Sequence, residues 1–388
     1  MTRKATSIVI SGILLVLTII LWQFASGWNN PNSFHQEATA SIHEQDISHK
    51  TEFTIFPNDS LANFWVNGKL MNPAHLDTML QAAFSVDVRS ADFSCIKVIW
   101  DELLYTQRWD TLPQTKFWRK VMSLRKDSGI VNIASTRQII EVMSFAEWES
   151  KTDTLKEVYR DSVRLAHALE KNAAIYITGG KKHYYHFDRM LKHIGYGIEA
   201  FYDRGVDPWY AQAILLIESP GQLQFSPVGA YGSFQLMKEV AIEQGLIVND
   251  TLDEREDFFK SAWAAAGLIQ KRCLPNIRRM LRKRDIEYKE SDPFFRMLVL
   301  HAYHAGAGNV EGALQQFEPR EGGIPLIQEL WRTEYGGFKN ASQNYSQVAI
   351  ASMIELDRIM THLPDTICQE KDVIAFEETG LSLEPAAP

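Results

Sequence analysis

From His186 onward, apolar residues recur every three to four positions, and this spacing predicts helices over Phe187–Tyr202, Pro208–Glu218, Asp257–Lys271, Phe294–His304 and Tyr345–His362. One of these is apolar nearly all round. Its start is marked by Asp207, suited to an N-cap, and by Pro208, whose missing N–H costs nothing in a first turn; Ile214, Leu215, Leu216 and Ile217 fill its second half. A helix of that kind belongs in a core. Before His186 the pattern is different: Thr154, Leu155, Lys156 and Glu157 have capping-box spacing and open an amphipathic helix through Leu169, and AAIYITGG reads as a strand closed by two glycines. The pattern predicts a mixed α/β domain over 51–185, with no role assigned, followed by a mainly α domain over 186–365. No internal repeat is visible.

The two ends read differently again. An uncharged apolar run from Ile8 to Ala25 follows Arg3 and Lys4. It would cover about 27 Å as a helix, close to the hydrocarbon thickness of a bilayer. Residues 1–27 are therefore expected to be a transmembrane signal anchor, with the flanking cations keeping that end in the cytoplasm and the bulk of the chain outside it. A cleaved signal peptide is the other reading, since Ala25 and Gly27 are small enough for a processing site. Residues 28–50 read as a polar linker and 366–388, acidic and ending in small residues and Pro, as a disordered tail. The net charge of −8 argues against a dedicated nucleic-acid binder. Three widely spaced cysteines, Cys95, Cys273 and Cys368, make no disulfide framework and no zinc site. The seven cations between Lys271 and Arg284 read as a solvated helix face, with contact to an anionic wall polymer as the alternative.

Glu218 is the residue the pattern does not explain. It closes an apolar helix just before Ser219 and the helix-breaking Pro220, although the carbonyls at a helix C-terminus repel an anion. Desolvation and the helix dipole both predict a raised pKa, and holding a Glu at about 6 instead of about 4.3 costs roughly 2.3 kcal/mol. A simple solvated helix end is the bland alternative. The nearby GAGNVEG does not make a dinucleotide loop: the spacing misses GxGxxG, and the residues before it read as helix. His301 with His304, or His183 and His186 with Asp188, lack supporting ligands, and neither a metal nor another cofactor is expected.

Around Glu218 the chain resembles the lytic transglycosylases of the soluble-lytic and membrane-bound types. Four blocks occur in the family's order: Glu218-Ser219; Gly229-Ala230-Tyr231-Gly232 with Gln235 and Met237; Ala302-Tyr303-His304-Ala305-Gly306-Ala307-Gly308-Asn309-Val310; and Asn344-Tyr345. DEREDFFKSAWAAAGLI is similar to the family's acidic stretch and following helix. His304 stands where the family has Asn, Lys238 where it commonly has Pro, and the interval after Glu218 is one residue short. The resemblance implies a lysozyme-like catalytic fold for 186–365 and peptidoglycan glycan strands as substrate.

It also implies roles. Glu218 would protonate the glycosidic oxygen between MurNAc and GlcNAc and then, as carboxylate, take the proton of the MurNAc C6 hydroxyl, which closes to a 1,6-anhydro sugar. Tyr345 would donate a hydrogen bond to Glu218. Ser219, Gly229, Ala230, Gly232, Gln235, Met237, Tyr303, His304, Gly306 and Asn309 would line the substrate: the glycines through close backbone approach, Gln235 as donor and acceptor to an acetamido group, and Tyr303 through its ring or else as core packing. Two other readings stay open, a wall-binding scaffold without turnover and a lysozyme-type hydrolase using Asp253, Glu254 or Asp257 as second carboxylate. Protein partners are unassigned; the membrane is a partner only through residues 1–27.

Overall fold

The computed structural model describes residues 64–66, 69–71, 83–89, 95–218, 226 and 228–361. The membrane segment, linker and tail expected at 1–27, 28–50 and 366–388 lie outside the described residues, as does Ser219. Among the described residues no helix is long and apolar enough to cross a membrane.

Two antiparallel pairs come first, β1 (Phe64–Val66) with β2 (Lys69–Met71) and β3 (Ala83–Arg89) with β4 (Cys95–Asp101). Helices α1 (Leu103–Thr106) and α2 (Pro113–Ser123) follow. A small lobe is built next from β5 (Ser128–Ile133), β6 (Ile139–Ser144), α3 (Phe145–Glu149), α4 (Asp153–Ala166) and β7 (Ile175–Gly179), with β5 central in an antiparallel sheet of order β6-β5-β7. The N-cap of α4 is Thr152, whose hydroxyl accepts from Leu155 N at 3.3 Å, so Thr154 lies inside the helix it was expected to open.

The remainder is helical: α5 (Phe187–Asp203), α6 (Trp209–Glu218), α7 (Lys238–Glu243), α8 (Phe258–Leu268), α9 (Leu274–Arg282), α10 (Pro293–Ala305), α11 (Ala307–Phe317), α12 (Ile324–Leu330) and α13 (Asn340–Thr361). Helices α8 and α9 join through a π-turn at Ile269–Cys273. Pro275 sits just beyond it and supplies no N–H to the carbonyl four residues back, which accounts for the local widening.

Every residue of α6 from Trp209 to Leu216 is buried. Its N-terminus is set by Asp207, which accepts from Trp209 N at 3.0 Å. The main core around α6 crosses the boundary expected at 185. Val98, Ile99, Leu104, Trp109, Phe117 and Val121 belong to the same buried cluster as Ile214, Phe234, Phe295 and Ile350. Polar ties reinforce it: the Gln212 amide bonds both the N–H and the carbonyl of Ile99, at 2.8 and 2.9 Å, and Arg296 pairs with Asp101 and Asp207 at 3.0 and 2.7 Å. Residues of β4, α1 and α2 thus complete the helical domain. The sheet lobe keeps a small core of its own: Val131, Ile133, Met143, Trp148, Val163 and Ile175.

Candidate active site

Glu218 is the last residue of α6. The residue keeps part of its area accessible, yet the carboxyl itself is enclosed by protein and so lies in a low dielectric. Burial pushes its pKa up to about 7, and the opposing influence is Tyr345, which favours the carboxylate. Among the described residues the Tyr345 hydroxyl, buried on α13, has no hydrogen-bond partner at ordinary distance, and it favours the Glu218 carboxylate. Burial and Glu218 raise its own pKa well above the usual tyrosine value. Among the described residues no charged group contributes to the shift of Glu218.

His304 stacks on Tyr345 with ring centroids 4.4 Å apart and planes 28° from parallel. More than a third of its surface meets water, but the protein around the ring holds its pKa down to about 4, so it is neutral near pH 7. Its place in the site is contact with Tyr345.

The glycine block forms a tight hairpin. Tyr231 and Leu236 exchange backbone hydrogen bonds at 3.1 and 3.0 Å around residues 232–235. Gly232 has a φ of +82°, and a Cβ there would stand 2.0 Å from the Arg255 carbonyl oxygen, so only glycine fits. Gly229 has a φ of +89°, and a Cβ there would meet nothing within 4 Å among the described residues. Gln235, itself at a φ of +47°, donates from Nε2 to the Gly232 carbonyl at 3.0 Å, so part of the amide expected to meet substrate is engaged within the hairpin. Ala230 is buried, and Met237, exposed, caps α7.

Other expected substrate contacts turn inward. The Tyr303 hydroxyl donates to the Phe234 carbonyl at 2.6 Å, and its ring packs on the main core, so it anchors the hairpin to α10. Asn309 donates to the Ala305 carbonyl at 2.8 Å and accepts from Gly337 N at 3.1 Å. With Gly306, at a φ of +82° between α10 and α11, it holds a corner.

The candidate second carboxylates are engaged elsewhere. Asp253 pairs with Arg255 at 2.6 Å, Glu254 with Lys260 and the Ile247 N–H, and Asp257 caps α8 by accepting from Lys260 N at 2.9 Å. None acts on Glu218. Of the basic run, Arg272, Arg278 and Arg284 pair with Glu243, Glu290 and Glu311. Cys273 is a buried free thiol, its pKa pushed up to about 12 by burial. His301 is fully buried, with Nε2 2.8 Å from the Ser346 hydroxyl, and His186 Nε2 lies 3.0 Å from the His183 carbonyl. Among the described residues no cluster of three or more His, Cys, Asp or Glu could hold a metal.

The chain's pattern did not point to four further contributors. Arg255, buried, donates to the Gly229 and Leu236 carbonyls at 2.8 and 2.9 Å and lies over the Tyr231 ring, so it organises the hairpin. Arg137 reaches from the small lobe to Asn344, at 3.0 Å, beside Tyr345. Tyr184 and Tyr185 both have hydroxyls whose pKa is raised by burial and, to a smaller extent, by Glu218. Only the doublet Tyr-Tyr before a helix marked the last pair, and aromatic doublets are common in cores.

Residues 195–322 match the family model described as the transglycosylase SLT domain, a stretch holding Glu218, the hairpin and the α10–α11 corner. This part of the chain is similar to the transglycosylase SLT domain, which supports a lytic transglycosylase with a lysozyme-like catalytic domain. The match supports lytic transglycosylase activity on peptidoglycan. A search of the curated proteins found no match.

Proposed function

We propose that the protein cleaves the MurNAc–GlcNAc bond of peptidoglycan and closes the MurNAc to a 1,6-anhydro end, as a membrane-bound lytic transglycosylase. The observation that carries this reading is a single acid, Glu218, whose pKa burial pushes up to about 7, with no second carboxylate among the described residues acting on it. A group poised near the working pH can give a proton and take one back with little loss in either direction. Protonated Glu218 delivers its proton to the glycosidic oxygen as the C1–O bond breaks, and the substrate's own acetamido oxygen supports the developing positive charge at C1. The resulting carboxylate, favoured by Tyr345, removes the C6 hydroxyl proton while O6 bonds to C1, which regenerates the acid. No water enters, so no second carboxylate is required to activate one. Anchoring through residues 1–27 would place the enzyme on the wall side of the membrane.

Mass spectrometry of digested peptidoglycan tests the reading. Products one water lighter than reducing-end muropeptides are expected, and Glu218→Gln should lower turnover by at least 10²- to 10⁴-fold, because the same group is both acid and base. Reducing-end products would make the protein a hydrolase; binding without soluble products would make it a scaffold.

A further inference from the structure

Four tyrosines, Tyr184, Tyr185, Tyr303 and Tyr345, lie within electrostatic reach of Glu218. Three of them are absorbed by the fold: Tyr345 is buried, and Tyr303 and Tyr185 pack on the main core. Tyr184 is not part of that core and keeps 37% of its surface exposed.

The helix packing shows where it stands. A Cβ on Gly197 would meet Leu215 Cδ1 at 2.9 Å and Ala211 Cβ at 3.5 Å, so the middle of α5 lies level with the middle of the antiparallel α6. Counting outward at about 1.5 Å per residue, Glu218 falls level with the second turn of α5. The residues before α5 therefore lie beside the end of α6 that carries Glu218, in keeping with the electrostatic reach of Tyr184 and Tyr185 to that residue.

That placement is rigid. Gly180 N donates to Ser128 O at 2.9 Å, Lys181 N to Val121 O at 2.7 Å and Lys182 N to Leu124 O at 2.9 Å, so the strand leaving β7 is pinned to α2 and the turn after it. A Cβ on Gly180 would sit 2.2 Å from the Arg125 carbonyl oxygen, which makes the close approach dependent on glycine. Tyr184 N then donates to Lys181 O at 2.8 Å. The Tyr184 ring rests edge-on against Tyr185 at 5.1 Å and 89°, and Tyr185 in turn against Phe187 at 5.7 Å. An exposed ring held on a fixed backbone loses little freedom on binding and offers an apolar face with a polar tip, the combination a pyranose presents in return.

We propose that Tyr184, braced by Tyr185, is a saccharide-contacting residue of the Glu218 site, delivered by chain that precedes the matched transglycosylase domain. The assignment rests on the lytic transglycosylase reading for the identity of the ligand, a GlcNAc–MurNAc glycan strand. The small lobe and α2 thereby gain a role: they hold one wall of the groove.

Binding of the full chain to purified peptidoglycan sacculi, measured by co-sedimentation in a Glu218→Gln background, tests this independently of turnover. Tyr184→Ala is expected to weaken binding about tenfold and Tyr184→Phe by no more than about twofold. In active protein, Tyr184→Ala should raise the half-saturating sacculus concentration by a similar factor, with kcat changed less than about twofold. Equal binding of Tyr184→Ala and its parent would overturn the proposal. Weakened binding without anhydro products would keep Tyr184 as a glycan contact and remove the reaction assigned to the site; anhydro products with unchanged binding would do the reverse.

Discussion

Glu218 sits where two environments compete, an enclosed carboxyl that burial pushes to about 7 and a tyrosine hydroxyl that pulls it down. The acid must carry its proton to act, so kcat/KM is expected to be level below about pH 6 and to fall about tenfold per unit above 7. Tyr345→Phe removes the group that favours the carboxylate. The Glu218 pKa then rises, and the alkaline limb should move to higher pH while kcat drops. His304→Asn should leave the pH-rate profile superimposable on the parent's from pH 5 to 9, because His304 already titrates near 4 and exerts no influence on Glu218. A histidine in this position suggests, on sequence alone, a charge that would suppress the acid below pH 6. The structure replaces that with ring stacking. pH-rate profiles of the three proteins, taken with one peptidoglycan preparation, check both expectations.

At the scale of the element, the hairpin at 229–237 is a conformational device more than a set of contacts. Gly232 and Gly229 both have positive φ, but their surroundings differ: a Cβ on Gly232 collides with the Arg255 carbonyl, whereas one on Gly229 meets nothing within 4 Å among the described residues. Gly229→Ala should therefore cost only the strain of a left-handed backbone, about 1 kcal/mol, and retain activity. Gly232→Ala adds a backbone collision with the residue that organises the hairpin, and it should lose several kcal/mol together with activity. Denaturant unfolding of the two variants, run beside the digestion assay, distinguishes the cases; equal losses would show that φ alone governs the hairpin.

For the whole molecule the decisive fact is the shared core. Leu104, Trp109, Phe117 and Val121 are fully buried against the helices that carry the site. At roughly 1.5–3 kcal/mol for each buried side chain, these four contribute about 6–12 kcal/mol, comparable to the entire stability of a typical domain. Residues 186–361 expressed alone should therefore lack cooperative unfolding, while 83–361 should retain it. Near-UV circular dichroism and thermal melts decide the point, and a cooperative transition in the shorter chain would show that the core closes without β4 and α2.

What the sequence determines by itself is local. Helical periodicity needs only neighbours three and four residues away, so α5, α6 and α10 are legible to within a residue or two, as are the strand ending at Gly179 and the placement of Glu218 at a helix end. The ordered motif blocks are likewise written in the chain, and they pointed to the family that residues 195–322 match. Tertiary structure decided the rest. How a carboxyl titrates depends on what surrounds it: for Glu218 the influence that opposes burial is Tyr345, far along the chain. Whether Asn309 or Tyr303 faces sugar or backbone depends on Gly337 and Phe234, and the wall formed by Tyr184 exists because Val121 and Leu124 pin the strand before it. These are contacts between residues tens of positions apart, whose energies of a few kcal/mol arise only once the chain has folded, and no local pattern records them.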